Sequence, residues 1–320
     1  MAKIGIVLAT YNGEKYLPQM LDSLIAQTRP ANFIVAVDDG SKDNTVNILK
    51  SYQERLPIQL TVMPQNKGHR AAFSKALELA LPQLEDDDLI ALADHDDVWL
   101  PKKLELLEKA ISSYSANLVF GDAQVIDGDG NKIGNSWRQM DSIPEHLSLR
   151  ALLTGFTNVT GCMSIFKAKL LKQVLPIPEN VPVHDQWIAF CASLYANNNK
   201  GCQAIKEPVI QYRIHGQNAI GLGKNHSWTN RLKTNLQWSK ALLDTPQYKE
   251  LSLCDQKFLK RYISYVQDRL TKPFIPQYLM WIIKNVNSLY PHVQGILKYI
   301  PRILYGIIGA PIIIHFFGKK

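Results

Sequence analysis

The chain has 320 residues, 46% hydrophobic and 20% charged, a globular balance that excludes collagen, long disorder and a disulfide-stapled miniprotein. That length holds two average domains, or one α/β domain with an appendage. The net charge of +8 is uneven: residues 222–320 carry 15 Lys and Arg against 4 Asp and Glu, residues 1–221 carry 21 against 24, which points to two jobs rather than one evenly basic nucleic-acid binder.

From the N-terminus, Lys3–Ala9, Phe33–Val37, Ile58–Met63 and Leu89–Ala93 are short, near-continuous apolar runs, the reading of strands buried on both faces of a parallel sheet. Helical faces separate them: Leu17, Leu21, Leu24 and Ile25, then Phe73, Ala76, Leu77, Ala80 and Leu81, then Leu104, Leu107, Ile111 and Tyr114. Pro101 suits the first turn of the last helix. This alternation predicts a Rossmann-like α/β sheet, mostly parallel, with helices on both faces. After Leu118–Phe120 the rhythm changes, with a turn at Asp129-Gly130, a strand at Met163–Lys167, a helix from about Asp185 to Ala196 and a strand at Pro208–Arg213.

Beyond Gly221 the chain turns helical and basic, with Ile275, Leu279, Ile282, Ile283, Val286 and Tyr290 as one apolar stripe. The apolar end, Ile303–Phe317, contains Pro311 and His315 and falls short of the roughly 20 residues that span a bilayer. With Lys298, Arg302, Lys319 and Lys320 beside it, it reads as an interfacial segment on an anionic membrane, or else as a helix docked on the protein. The N-terminus lacks the cleavage site of a secretory leader. Cys162, Cys191, Cys202 and Cys254 form no CxxC pair, which fits a reducing compartment. The expected location is cytoplasmic, peripheral on the inner face of a bacterial plasma membrane.

In an open α/β sheet, ligands bind beyond the carboxyl ends of the strands. Those ends run into Thr10-Tyr11-Asn12-Gly13, Asp38-Asp39-Gly40-Ser41, Asn66-Lys67-Gly68 and Asp94-His95-Asp96-Asp97. Each alone is a turn or a cap, but four together define a crevice. Neither GxGxxG after the first strand nor GxxxxGK[ST] occurs, which disfavours dinucleotide dehydrogenases and P-loop enzymes. Crowded carboxylates raise a pKa or bind a cation, and hard oxygen ligands select Mg²⁺ or Mn²⁺.

TYNGEKYL, DDGSKDNT, NKG and ALADHDDVWLPKKL, in that order, resemble family 2 glycosyltransferases of the GT-A fold, in the bacterial rhamnosyltransferase-like branch. NVTGCMSIFKAKLL (158–171), VHDQWIAF (183–190) and EPVIQYRIHGQN (207–218) continue the resemblance, which covers residues 1–221. It implies a nucleotide-binding half at 1–120 and an acceptor and catalytic-base half at 121–221; composition alone makes 222–320 a helical C-terminal region. By the same resemblance Thr10, Tyr11 and Glu14 line the nucleotide pocket, Asp39 bonds the base, and Asn66 and Gly68 border the nucleotide. The Asp-x-Asp motif falls on Asp94, facing the ribose or a metal-bound water, and Asp96, a ligand of a divalent cation (Mn²⁺ or Mg²⁺). Asp185 matches the catalytic base; Arg213 and His215 match positions that close over the diphosphate, with His215 a further metal ligand. His95 stands where the family often has Gln, and Gln186 where it often has a second Trp.

The chemistry is coherent on its own terms. A nucleotide-sugar donor loses a nucleoside diphosphate, whose charge needs a cation or guanidinium. A hydroxyl acceptor needs a base, and one base without a protein nucleophile gives inversion. The expected acceptor is a growing surface glycan or a lipid-diphosphate-linked glycan. The alternatives are a nucleotidyltransferase and a catalytically silent, membrane-associated scaffold that binds nucleotide sugars.

Overall fold

The computed structural model describes residues 2–141, 144–196, 201–216, 228–293 and 296–317. Gln217, Asn218, Lys319, Lys320 and the 221/222 boundary lie outside the described residues. The chain forms two compact units: one comprises Met1–His146, Val159–Glu179 and Val183–Leu222, the other Leu147–Asn158, Asn180–Pro182 and Gly223–Lys320.

The first unit holds a nine-stranded sheet with strands β1 (Ile4–Thr10), β2 (Phe33–Asp38), β3 (Ile58–Val62), β4 (Leu89–Asp94), β5 (Val98–Trp99), β6 (Leu118–Ile126), β7 (Lys132–Gly134), β8 (Ser164–Lys167) and β9 (Cys202–Arg213). Their order is β3-β2-β1-β4-β8-β6-β9-β5, with β7 on β6. β1, β2, β3 and β4 pair in parallel, as do β6 and β9, whereas β8 runs antiparallel between β4 and β6. Every residue of β1 and β2 is buried, which explains their unbroken apolar reading: helices cover both faces and leave no polar side to alternate with. The helices are α1 (Leu17–Ile25), α2 (Thr45–Ser51), α3 (His69–Ala80), α4 (Lys103–Tyr114) and α5 (Trp137–Asp141). After α6 (Leu149–Leu153), in the second unit, come α7 (Leu171–Val174) and α8 (His184–Leu194).

Two registers position the site. In β1, Thr10 pairs with Asp38 and Ala9 with Asp94, so three polar strand ends are level. β8 runs opposite to β4, with Ile165 beside Ala91, so the residues that precede β8 lie where β4 ends. The expected helix faces hold except at their ends, where Ile25, Leu81 and Tyr114 are exposed. Pro101 precedes the first turn of α4 instead of entering it.

The second unit adds α9 (Trp228–Leu243), α10 (Leu253–Thr271), α11 (Leu279–Lys284), α12 (Val286–Leu289), α13 (Ile296–Gly306) and α14 (Ala310–Phe317). Its core gathers Leu232, Tyr262, Tyr265, Val266, Ile275, Tyr278 and Ile282. The predicted stripe from Ile275 to Tyr290 is not one helix: the chain breaks at Asn285, and Ile283 faces outward at 43% exposure. Ile303–Phe317 is likewise divided between α13 and α14. Gly309 lies in the break, where a Cβ would stand 1.6 Å from the Lys272 carbonyl oxygen, a contact that glycine alone permits. Among the described residues no helix is long and apolar enough to cross a membrane.

Candidate active site

At the end of β1 the buried Thr10 hydroxyl donates to Asp38 Oδ1 at 2.9 Å. Tyr11, 41% exposed, points outward. Glu14 Oε2 accepts the Asn44 N–H at 2.9 Å, tying the loop after β1 to the start of α2. Asp39, 2% exposed, accepts the N–H of Lys67 at 2.7 Å on one carboxylate oxygen and that of Gly68 at 2.8 Å on the other. Asn66 Oδ1 accepts the Gly68 N–H as well, at 3.1 Å. Asp39, Asn66 and Gly68 are therefore brought together at the start of α3, and each Asp39 oxygen keeps a second lone pair for a ligand.

The acidic loop after β4 is the electrostatic centre. Burial pushes Asp94 up to about 7, and the charges of Asp96 and Asp185 push in the same direction. Burial also raises Asp97, reinforced by Asp96 and Asp94, well above the carboxylate range. Its Oδ1 accepts the Arg213 N–H at 3.0 Å, and its buried Oδ2 has no hydrogen-bond partner among the described residues. Asp96 differs: burial pushes it up, but the His215 hydrogen bond and the neighbouring imidazoles outweigh that and hold it below the ordinary value. His215 Nε2 lies 2.9 Å from Asp96 Oδ2 and its ring is 5.0 Å from that of Tyr16, so two predicted metal ligands pair with each other.

β9 and β5 run antiparallel, with Gln211 opposite Val98, and this brings Arg213 to the acidic loop. Its Nε donates to the Asp96 carbonyl at 2.9 Å, and its other nitrogens donate to the Asp127 carbonyl at 3.3 Å and to Gln19 Oε1 at 2.6 Å. The guanidinium, 4.7 Å from the Tyr16 ring centroid, is buried among these contacts and braces the loop. Tyr16, the second tyrosine of TYNGEKYL, has no role assigned from the sequence, and Gln19 lies outside that motif; their place at the start of α1, beside the loop after β1, is the signal that finds them.

Asp185 lies in the first turn of α8. The N-cap is Val183, which makes no side-chain cap bond, so Asp185 is not spent as the cap. Its carboxylate accepts the Gly161 N–H at 3.1 Å and the Gln186 N–H at 2.7 Å. Burial outweighs both donors and pushes it up to about 6. Gly161 is hemmed in: a Cβ there would lie 3.3 Å from the Asp185 Cβ, His184 Nε2 and Leu92 Cδ1 alike. His184, stacked on Phe73 at 3.9 Å, directly precedes Asp185, and burial lowers it well below its ordinary value.

Asp94, Asp97 and Cys162 bring one ligand atom each within 4.8 Å of one another. Burial raises the Cys162 thiol well above its ordinary value, so the oxygens are the better donors, and hard oxygens suit a hard divalent cation. Crowded, raised carboxylates with an unpartnered oxygen fit such an ion, which would relieve their repulsion.

Residues 5–175 match the model of the family described as glycosyl transferase family 2. An uncharacterized glycosyltransferase of Nostoc sp. is 29% identical over 226 residues, 68% of this chain and 66% of the relative, so the match spans just under two thirds of that protein. A dTDP-rhamnosyl transferase of Shigella flexneri, RfbG, is 27% identical over 229 residues, 67% of this chain and 73% of the relative. Among solved structures, residues 1–349 of Staphylococcus aureus TarS in complex with UDP-GlcNAc superpose with a TM-score of 0.57 at 19% identity, covering 95% of this chain and 87% of that one. The mannosyltransferase PcManGT from Pyrobaculum calidifontis, in complex with GDP-Man and Mn²⁺, gives 0.51 at 18% identity, with coverage of 95% and 84%. At these identities the likeness to solved structures concerns the fold.

Proposed function

Because the chain belongs to glycosyl transferase family 2 and has its GT-A fold, we propose that it transfers a sugar from a nucleotide donor to a hydroxyl acceptor with inversion at the anomeric carbon. The observation that carries this reading is the convergence of Asp94, Asp96 and Asp185: Asp94 is raised by both of the others, so one crevice contains the acidic loop and the base.

Thr10, Tyr11, Glu14, Asp39, Asn66 and Gly68 receive the nucleoside, with Asp39 bonding the base. Asp94, Asp96 and, through its imidazole, His215 would hold a divalent cation, with the Asp97 carboxylate gathered beside Asp94 as a further oxygen donor; the ion would supply positive charge where the diphosphate leaves. Arg213 braces the loop through the Asp96 carbonyl and adds positive charge beside it. Asp185 takes the acceptor's proton as that oxygen bonds to the anomeric carbon and the bond to the diphosphate oxygen breaks. The products are a glycoside and a nucleoside diphosphate.

The UDP-GlcNAc bound by TarS and the dTDP-rhamnosyl activity named for RfbG support a UDP-sugar or dTDP-rhamnose as the donor, and the GDP-Man bound by PcManGT supports a nucleotide sugar more broadly. The acceptor in this reading is a cell-surface polysaccharide or a lipid-diphosphate-linked glycan, reached from the inner face of a bacterial plasma membrane. The basic C-terminal region supports that placement, because cations gather at anionic lipid.

A calorimetric screen of UDP-, dTDP- and GDP-sugars with and without Mn²⁺ tests the reading. One donor should bind wild type only with Mn²⁺, and Asp96→Ala should lose that binding while remaining folded. A folded wild type that binds none of the donors refutes the proposal.

A further inference from the structure

Lys103 opens α4, and its side chain is fully buried. Both facts oppose a cation there, since the helix dipole is positive at an N-terminus and burial strips the ammonium of water. What the position offers instead is specific. Nζ donates to the Cys162 carbonyl at 2.5 Å and stands 3.2 Å from the centroid of the Trp99 ring. Trp99 carries the acidic loop into β5, and burial lowers Lys103 to about 7 against the opposing pull of Cys162, Asp97 and Asp94. The turn whose carbonyl it holds, Gly161–Met163, is the turn whose Gly161 N–H holds Asp185.

We propose that Lys103 is a positioning residue for transfer: a buried strut that ties the Asp94–Asp97 loop to the Gly161–Met163 turn and so sets the base against the donor's reacting carbon. This deepens the function proposed above and rests on it. Lys103 touches no substrate in this scheme. It acts on the acidic loop through Trp99, two residues beyond Asp97, and on Asp185 through one carbonyl and one amide of a short turn. β4 and β8 pair no further than Ala91 and Ile165, so among the described residues their ladder stops short of the gap between these parts. The strut crosses there, and reacting groups misplaced by about 1 Å can lose about a hundredfold in rate.

Lys103→Met retains the length and apolar stem while removing the charge and the donor. The measurements are thermal unfolding, calorimetric binding of the cognate nucleotide sugar with Mn²⁺, and kcat and KM for the acceptor at saturating donor. The expected result is a folded variant that binds donor within about threefold of wild type, keeps its acceptor KM within about threefold, and loses about a hundredfold in kcat. A residue that merely supports the fold would lower Tm and leave kcat per folded molecule unchanged, and that result overturns the proposal. Should Lys103→Met not fold, Lys103→Gln, shorter and neutral, takes the same test with the same two outcomes. If wild type itself binds no nucleotide sugar, the proposed function fails; if wild type binds and transfers and the variant matches it, only the role of Lys103 fails.

Discussion

Asp185 accepts two backbone N–H bonds, which favour its charged form, yet burial prevails and sets it at about 6. A base raised to that value is protonated and idle below it and ready above it. kcat/KM should therefore rise about tenfold per pH unit up to about pH 6 and level off beyond, read from initial rates in buffers of constant ionic strength. Asp185→Asn should abolish that rise and lower kcat by roughly 10²–10⁴ while leaving Mn²⁺-dependent donor binding intact; a variant with an unchanged profile assigns proton removal to another group. Much of this was legible in the sequence, because Asp94, Asp96 and Asp39 follow apolar strands and the fold brings strand ends together. Gly161 and Lys103 were not. Their importance depends on the antiparallel entry of β8, a pairing across the chain that local pattern does not encode. Lys103 left two traces: it stands in ALADHDDVWLPKKL, where it carries no assigned role, and with Leu107 and Ala110 it lies on the buried side of α4.

Among elements, length decided what could be read. The long buried strands announced themselves by composition. β5, two residues long, is too short to read as a strand and is one only because β9 pairs with it. The stripe from Ile275 to Tyr290 kept its helical spacing, but the helix stops at Asn285, whose φ of −119° and ψ of 17° leave the helical range. In the second unit, α9 and α10 hold the segment Leu147–Asn158: Trp238 Nε1 donates to the Leu152 carbonyl, Ser239 Oγ to that of Leu153 and the Tyr262 hydroxyl to that of Thr154, at 2.8, 2.8 and 3.0 Å. Trp238 is 1% exposed. Trp238→Ala should cost about 3–5 kcal/mol in urea unfolding followed by circular dichroism, and Trp238→Phe, which forfeits chiefly the hydrogen bond, about 1–2. Equal losses in the two variants would assign the whole effect to the bond.

For the whole molecule, charge and hydrophobicity lead to the same expectation. No Asp or Glu occurs after Asp268, while Lys272, Lys284, Lys298 and Arg302 stand exposed among the exposed Met280, Ile283, Ile300 and Leu304. The protein should float with vesicles rich in phosphatidylglycerol, and more weakly at high salt, since each surface cation contributes about 1 kcal/mol near anionic lipid. Lys284→Glu with Arg302→Glu should release it without changing catalysis on a soluble acceptor; retention on the vesicles would place the contact elsewhere. The interleaving of the two units also has a consequence in time. Leu152 leaves the ribosome 86 residues ahead of the indole that covers its carbonyl, a wait of roughly 5–15 s at ordinary elongation rates. Through that interval a strip containing Ala151, Leu152 and Leu153, each buried in the finished protein, lacks its partners. The nascent chain thus passes through a stage in which the first unit can close while an apolar segment looped out of it stays open to chaperones or to a neighbouring copy.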